Sequence, residues 1–167
     1  GGYKHIPTQS EINVPANASY VHLCYNNTIY GTEYHYIPET NGVPLVADMS
    51  SNMLSRPIDF KKFDFIYAGV QKNLGPAGVV LILAKKSMLE KSPDALPTMF
   101  KYNTFLKKDS LYNTPPAFCI YMVGKTAAWI KKQGGLEEMA KRNKKKADLL
   151  YNVIDASNGF YNGHADK

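Results

Sequence analysis

Residues Phe63–Gly78, FDFIYAGVQKNLGPAG, decide how the rest of the chain is read. Phe65-Ile66-Tyr67-Ala68-Gly69 is a short apolar run, with the length of a buried strand rather than of a helix. Lys72 follows it, then the Gly/Pro-rich turn Gly75-Pro76-Ala77-Gly78, then a second apolar run, Val79–Ala84. The turn lacks the Gly-Lys-Ser/Thr ending of a P-loop, so it reads as a bend that carries the chain closely behind Lys72. In open α/β sheets, ligand chemistry collects just beyond the carboxyl ends of strands, where Lys72 falls. Lysine is also the side chain that forms Schiff bases with carbonyl compounds.

Upstream, Tyr20–Tyr25 is a strand candidate ended by Asn26-Asn27-Thr28. Tyr30–Pro38 reads as an aromatic loop, with Tyr30, Tyr34 and Tyr36 expected to pack or to line an interface. Thr40-Asn41-Gly42 is a turn signal. Val43–Ala47 forms a second short strand ending at Asp48, followed by the small polar stretch Met49-Ser50-Ser51-Asn52. Arg56–Asp59 reads as a loop or short helical entry, and Gly1–Ser19 as a surface connection.

Downstream, Ser87–Glu90 starts a short helix, and residues 91–110, with Pro93 and Pro97, read as an irregular exposed excursion. Asn113-Thr114-Pro115-Pro116 predicts a sharp helix start with Thr114 as N-cap. That helix runs to about Gln133 and stops at Gly134-Gly135. A second helix, Leu136 to about Ala156, carries Leu136, Met139, Ala140, Asn143, Ala147, Leu150 and Ile154 as one mostly apolar stripe, and Ser157-Asn158-Gly159 ends it. Strands first and helices last suit a slice of an α/β sheet domain, not a self-contained doubly wound fold.

The chain has 167 residues, 44% hydrophobic and 20% charged, with a formal net charge of +6. That is one globular domain's worth of chain, neither collagen-like, disulfide-dense nor broadly disordered. Its longest apolar run is far short of a membrane span, and no Cys/His cluster has metal-ligand spacing. Gly1–His5 has neither an initiator Met nor the apolar core of a signal peptide, so a processed or partial product is expected. Cys24 and Cys119 are expected to be buried free thiols in a reducing compartment, the cytoplasm. The basic run Lys141–Lys146 turns around its helix and reads as a solvated face; no nucleic-acid signature accompanies it.

Three strand ends carry polar groups: Asn27-Thr28, Asp48-Met49-Ser50 and Gln71-Lys72. In a parallel sheet these ends share one edge. An aldehyde cofactor such as pyridoxal phosphate needs a lysine, a carboxylate for its pyridine nitrogen, a hydrogen bond to its ring hydroxyl and donors for its phosphate. Asp48, Thr28, Ser50 and Gln71 are of the right types for the last three. Each also has a local use: Asp48 as a turn or cap residue, Thr28 and Ser50 on nearby backbone, Gln71 facing solvent, Thr114 as an N-cap.

The segment ADMSSNMLSRPIDFKKFDFIYAGVQKNLGPAG (47–78) closely resembles the phosphoserine aminotransferases, a class V family of fold type I pyridoxal phosphate enzymes. CYNNTIYG (24–31) and YNTPP (112–116) fit the same family in the same order. The resemblance implies that Lys72 is the Schiff-base lysine and proton carrier, that Asp48 pairs with the pyridine nitrogen and that Thr28 bonds the ring hydroxyl. It implies that Ser50 and Gln71 contact the cofactor phosphate, and that Asn113 and Thr114 reach the cofactor phosphate of a neighbouring subunit in a homodimer. The reaction implied converts glutamate and 3-phosphohydroxypyruvate to 2-oxoglutarate and O-phosphoserine in serine biosynthesis, with no nucleic acid or membrane as partner.

The fold implied is the central-to-C-terminal part of the large, mostly parallel-sheet α/β domain. Residues 1–156 would be part of that domain and 157–167 the start of a connection to a small domain. Family members are considerably longer. Their N-terminal phosphate loop, ring-stacking aromatic and substrate-binding arginine lie outside this stretch, and Arg56 and Arg142 match none of the family's substrate-binding arginines. A fragment inactive alone is therefore expected. The alternatives are a decarboxylase or lyase using the same cofactor, since Lys72 and Asp48 serve many reactions, and a non-catalytic basic binding or scaffold module on the same fold.

Overall fold

The computed structural model describes residues 2–166, so Gly1 and Lys167, the ends of the two expected connections, lie outside the described residues. The described residues form six strands: β1 Val21–Cys24, β2 Asn26–Asn27, β3 Thr32–Glu33, β4 Leu45–Asp48, β5 Phe65–Gly69 and β6 Val80–Ala84. The main sheet has the order β1-β4-β5-β6, with β1, β4 and β5 parallel and β6 antiparallel to β5. β2 and β3 form a separate antiparallel pair within the stretch read from sequence as an aromatic loop.

Side chains alternate across this sheet. Leu23, Leu45, Ala47, Ile66 and Ala68 face one side and are buried. Met49, Met53 and Phe63, from the β4–β5 crossover, complete that core. Tyr25 caps it, 1% exposed, stacked on Tyr34 at 5.8 Å and edge-on to Phe63 at 5.5 Å. Tyr34 and Tyr36 thus pack, as expected, and Tyr30 stacks on Tyr3 at 5.0 Å. The other face presents His22, Cys24, Val46, Asp48 and Tyr67, all exposed or half-buried. Among the described residues of that face, only Phe65 is buried, with Tyr102 5.1 Å away.

Among the described residues, four α-helices follow: α1 Lys86–Leu89, α2 Tyr102–Leu106, α3 Ala117–Lys132 and α4 Gly135–Ala156. α2 and a 3-10 turn at Thr98–Phe100 lie inside the excursion read as irregular. α3 starts with Pro116, not Thr114, as its N-cap. A residue preceding proline is kept out of the helical region, and both Thr114 and Pro115 precede one, so the helix cannot begin before Pro116. Val123 and Ile130 of α3 turn inward, while Phe118, Tyr121 and Trp129 form an exposed aromatic stripe on the opposite face.

In α4, Met139 is buried and Asn143 Nδ2 donates to the Ser55 carbonyl at 3.0 Å. Leu150, expected in the same stripe, is 69% exposed, whereas Ile154, one turn further on, is half-buried and borders a cleft with His5 and Ile6. Lys141 and Arg142 pair with Glu138, and Lys144 with Asp148. These exposed pairs contribute little to stability, as expected of a solvated face. Among the described residues, no helix is long and apolar enough to cross a membrane.

Candidate functional site

The carboxyl ends of β1, β4 and β5 meet in register, Cys24 beside Asp48 and Asp48 beside Tyr67. Chain direction alone therefore brings Asp48, the β1–β2 exit and the β5 exit to one edge. β5 ends at Gly69, and Lys72 sits in the turn that follows.

That turn is held on both sides of Lys72. The N–H groups of Leu74 and Gly75 both donate to the Val70 carbonyl, at 3.0 and 2.9 Å. Leu74 is buried, and Asn73 Nδ2 donates to the Met53 carbonyl at 2.6 Å. Behind it lies α3. A Cβ on Gly75 would stand 3.1 Å from Val123 Cγ2, and Gly78, at φ +121°, would place one 3.4 Å from Cys119 Sγ. Glycine at these two positions lets the helix lie against the turn. Lys72 itself projects outward, exposed, and its Nζ donates to Thr28 Oγ1 at 3.2 Å.

Asp48 and Ser50 tie two strand ends together. Asp48 Oδ1 accepts the Ser50 N–H at 2.8 Å, and Ser50 Oγ accepts the Gly69 N–H at 2.9 Å. Gln71 folds back over Gly69 so closely that a Cβ there would lie 2.7 Å from Gln71 Oε1. Thr28 is exposed in a turn shaped by Asn27, whose Oδ1 accepts the Ile29 N–H at 3.2 Å. Lys72, Thr28, Asp48, Ser50 and Gln71 thus share one edge. Asn113 and Thr114 do not join them: both are exposed before α3, with Asn113 Nδ2 donating to the Thr114 carbonyl.

Three residues not singled out as site candidates from sequence enter it. Tyr67 stands beside Asp48 on β5; burial first, then the neighbouring Asp48 charge, raises its phenol pKa. His22 Nε2 lies 3.0 Å from Tyr67 Oη. Cys24 is exposed and Cys119 half-buried, both free; the expectation of buried thiols fails because the β1 face carrying Cys24 is the open one. The Cys24 thiol pKa is nevertheless pushed up, by partial burial and then by Asp48, with Lys72 pulling the other way. Period-two alternation along β1 and β5 was the available signal, since it gives His22, Cys24 and Tyr67 the parity of an exposed face.

Among the described residues, no ion pair joins Lys72 to Asp48. A primary amine and a carboxylate on one sheet edge, with hydroxyls and an amide on the same edge, suit a small anionic carbonyl compound bearing a basic ring nitrogen.

A family profile described as "Aminotransferase class-V" matches residues 4–167. A phosphoserine aminotransferase of Herpetosiphon aurantiacus is 54% identical over 163 residues, 98% of this chain and 45% of its own length. One from Desulfatibacillum aliphaticivorans is 57% identical over 158 residues, 94% of this chain and 44% of its own length. The solved phosphoserine aminotransferase from Bacillus circulans subsp. alkalophilus superposes with a TM-score of 0.95 at 49% identity, over 98% of this chain and 45% of that one. The structure of pyridoxal phosphate-bound phosphoserine aminotransferase from Trichomonas vaginalis gives 0.88 at 38% identity, over 95% and 47%. The chain spans somewhat under half the length of these relatives.

Proposed function

The chain belongs to the class V aminotransferase family, and on that premise we propose that it is the cofactor-holding portion of a phosphoserine aminotransferase. The carrying observation is Lys72 held 3.2 Å from Thr28 on the sheet edge that also bears Asp48, with no ion pair between the two charges. The donor set fits pyridoxal phosphate, which when bound supplies the electron sink for moving an amino group. Lys72 Nζ anchors the carbonyl end and carries the substrate proton. Asp48 would pair with the ring nitrogen and keep it protonated. Thr28 Oγ1 serves the ring hydroxyl, while Ser50 and Gln71 serve the phosphate.

The donor substrate is glutamate and the acceptor 3-phosphohydroxypyruvate, giving 2-oxoglutarate and O-phosphoserine for serine biosynthesis. The active form is a homodimer in which Asn113 and Thr114 reach the neighbouring subunit's cofactor phosphate. Their exposure, and the aromatic stripe of Phe118, Tyr121 and Trp129 on the helix they precede, support that role. Residues 1–156 make up part of the large domain, and 157–167 lead toward a small one. The compartment is the cytoplasm, in keeping with two free thiols. Because the chain spans under half of its relatives, residues 1–167 alone are expected to be inactive.

The intact protein, assayed with glutamate and 3-phosphohydroxypyruvate, is expected to release both products. Borohydride treatment should fix the cofactor covalently on the peptide carrying Lys72. Turnover that survives Lys72→Ala overturns the reading. Carbon dioxide release, or elimination without amino transfer, would replace it with a decarboxylase or lyase.

A further inference from the structure

We propose that His22 and Tyr67 are positioning residues for Asp48, joined in a directed chain in which His22 Nε2–H donates to Tyr67 Oη and Tyr67 O–H donates to the Asp48 carboxylate. The proposal rests on Asp48 being the cofactor-facing carboxylate.

The geometry comes from the sheet. Tyr67 is the register partner of Asp48 on β5, and His22 lies two residues before Cys24, the partner of Asp48 on β1. All three occupy the open face, so the phenol reaches over β4 between them. Its oxygen lies 3.0 Å from His22 Nε2, and the two rings stack with centroids 6.0 Å apart and planes 20° from parallel.

Proton counting then sets the direction. A phenol has one proton, a carboxylate only accepts, and an imidazole nitrogen does either according to tautomer. If Tyr67 donated to His22, its oxygen lone pairs would face a carboxylate with nothing between them. If it donates to Asp48, His22 completes the chain as a donor and every group is satisfied. The raised phenol pKa of Tyr67, set first by burial and then by Asp48, agrees with a proton held toward that carboxylate. The other ionisable groups acting here are Cys24 from β1, Lys72 from the turn and Tyr102 from α2.

With Asp48 Oδ1 already receiving the Ser50 N–H, the Tyr67 bond fixes the carboxylate from the β5 side. Asp48 is then presented to a ring nitrogen in a defined orientation, without rotamer entropy still to lose on binding.

The first test uses the intact wild-type protein without cofactor. Nitrogen-15 NMR of His22 should show the proton on Nε2; a proton on Nδ1 with Nε2 bare overturns the direction of the chain. The second test uses pyridoxal phosphate titrations of variants. Tyr67→Phe should raise the cofactor Kd about fivefold, the loss of roughly one hydrogen bond. It should also move the pH midpoint of the bound cofactor's visible band by about half a unit. His22→Leu should raise Kd about twofold, whereas His22→Gln, whose amide keeps a donor, should restore wild-type binding. A Tyr67→Phe protein with unchanged Kd and unchanged midpoint overturns the proposal. Asp48→Asn separates the two levels: if it binds cofactor like wild type, the underlying site reading falls, and if only Asp48→Asn weakens binding, the positioning chain alone falls.

Discussion

Asp64 with Lys85 and Asp48 with Lys72 place the same two residue types at opposite ends of one sheet. At the amino end of β5, Asp64 Oδ1 pairs with Lys85 Nζ at 2.7 Å and its Oδ2 accepts the Leu45 N–H at 2.8 Å. Backbone bonds run the same way, Asp64 N–H to Leu45 and Lys85 N–H to the Asp64 carbonyl, both at 2.9 Å. Each charge there is consumed by the other, and the result is a clamp across β4, β5 and β6. At the carboxyl end, Lys72 rests on a hydroxyl and Asp48 on the Ser50 backbone N–H, with no ion pair between them. At the first end the two charges neutralise each other; at the second they stay unpaired with one another, as the proposed cofactor role requires.

The largest effect that tests this contrast is Lys72→Ala, expected to lower turnover of the intact enzyme by about a thousandfold or more. Because Lys72 is exposed, thermal unfolding should move little; a large fall in Tm would give it a structural role in place of a chemical one. Next comes Gly75→Ala. Its Cβ would press on Val123 at 3.1 Å, so overpacking should cost about 1–3 kcal/mol in urea unfolding. It should weaken cofactor binding as well, since the same turn carries Lys72, and an effect confined to stability would uncouple α3 from the site.

Asp64→Asn should cost about 1 kcal/mol at pH 7, a modest figure because Lys85 is half exposed and solvent screens the pair. Burial favours the neutral acid, but Lys85 and the Leu45 N–H outweigh it and hold the Asp64 pKa below 3.8. The depressed folded value means that the stabilisation is fully present above 3.8 and is lost as pH falls through the folded pKa. Urea unfolding of both proteins from pH 7 down to about 3 reads this directly; a difference undiminished at the acid end would remove the ion pair from the account. The smallest effect is expected from Lys85→Ala, below about 0.5 kcal/mol in the same measurement and with turnover unchanged, because the Leu45 N–H still serves Asp64.

Much of the site was legible in the sequence because its residues follow strand ends. β5 was read to the residue, since Phe65–Gly69 is a short apolar run starting after Asp64; Lys72 followed from its carboxyl end and Asp48 from the end of the run Val43–Ala47. The positions of Asn113 and Thr114 were legible only as a motif; nothing within one chain brings them to Lys72. His22 and Tyr67 escaped because their contact depends on β4 lying between β1 and β5, an order that alternation along a single strand does not carry. β3 escaped for another reason. A two-residue pairing has no periodicity, and Thr32–Glu33 forms only because Asn26–Asn27 lies opposite. Leu150 shows the converse, a residue with correct helical spacing on a face that meets no neighbour at that level.

The register of β5 against β4 also governs which length changes this chain tolerates over generations. Moving β5 by one residue turns its side chains to the opposite face. Ile66 would leave the core, and Tyr67 would leave Asp48. The same step would carry Gly69 away from Ser50 Oγ and misplace the turn that bears Lys72. One lost codon within Phe65–Gly69 would therefore cost packing and chemistry together, with no intermediate retaining either. A lost codon near Lys91–Asp94 touches neither. Insertions and deletions among descendants of this sequence should accumulate in that excursion and be absent between Asp64 and Gly75, a pattern set by the ladder before any selection for activity is applied.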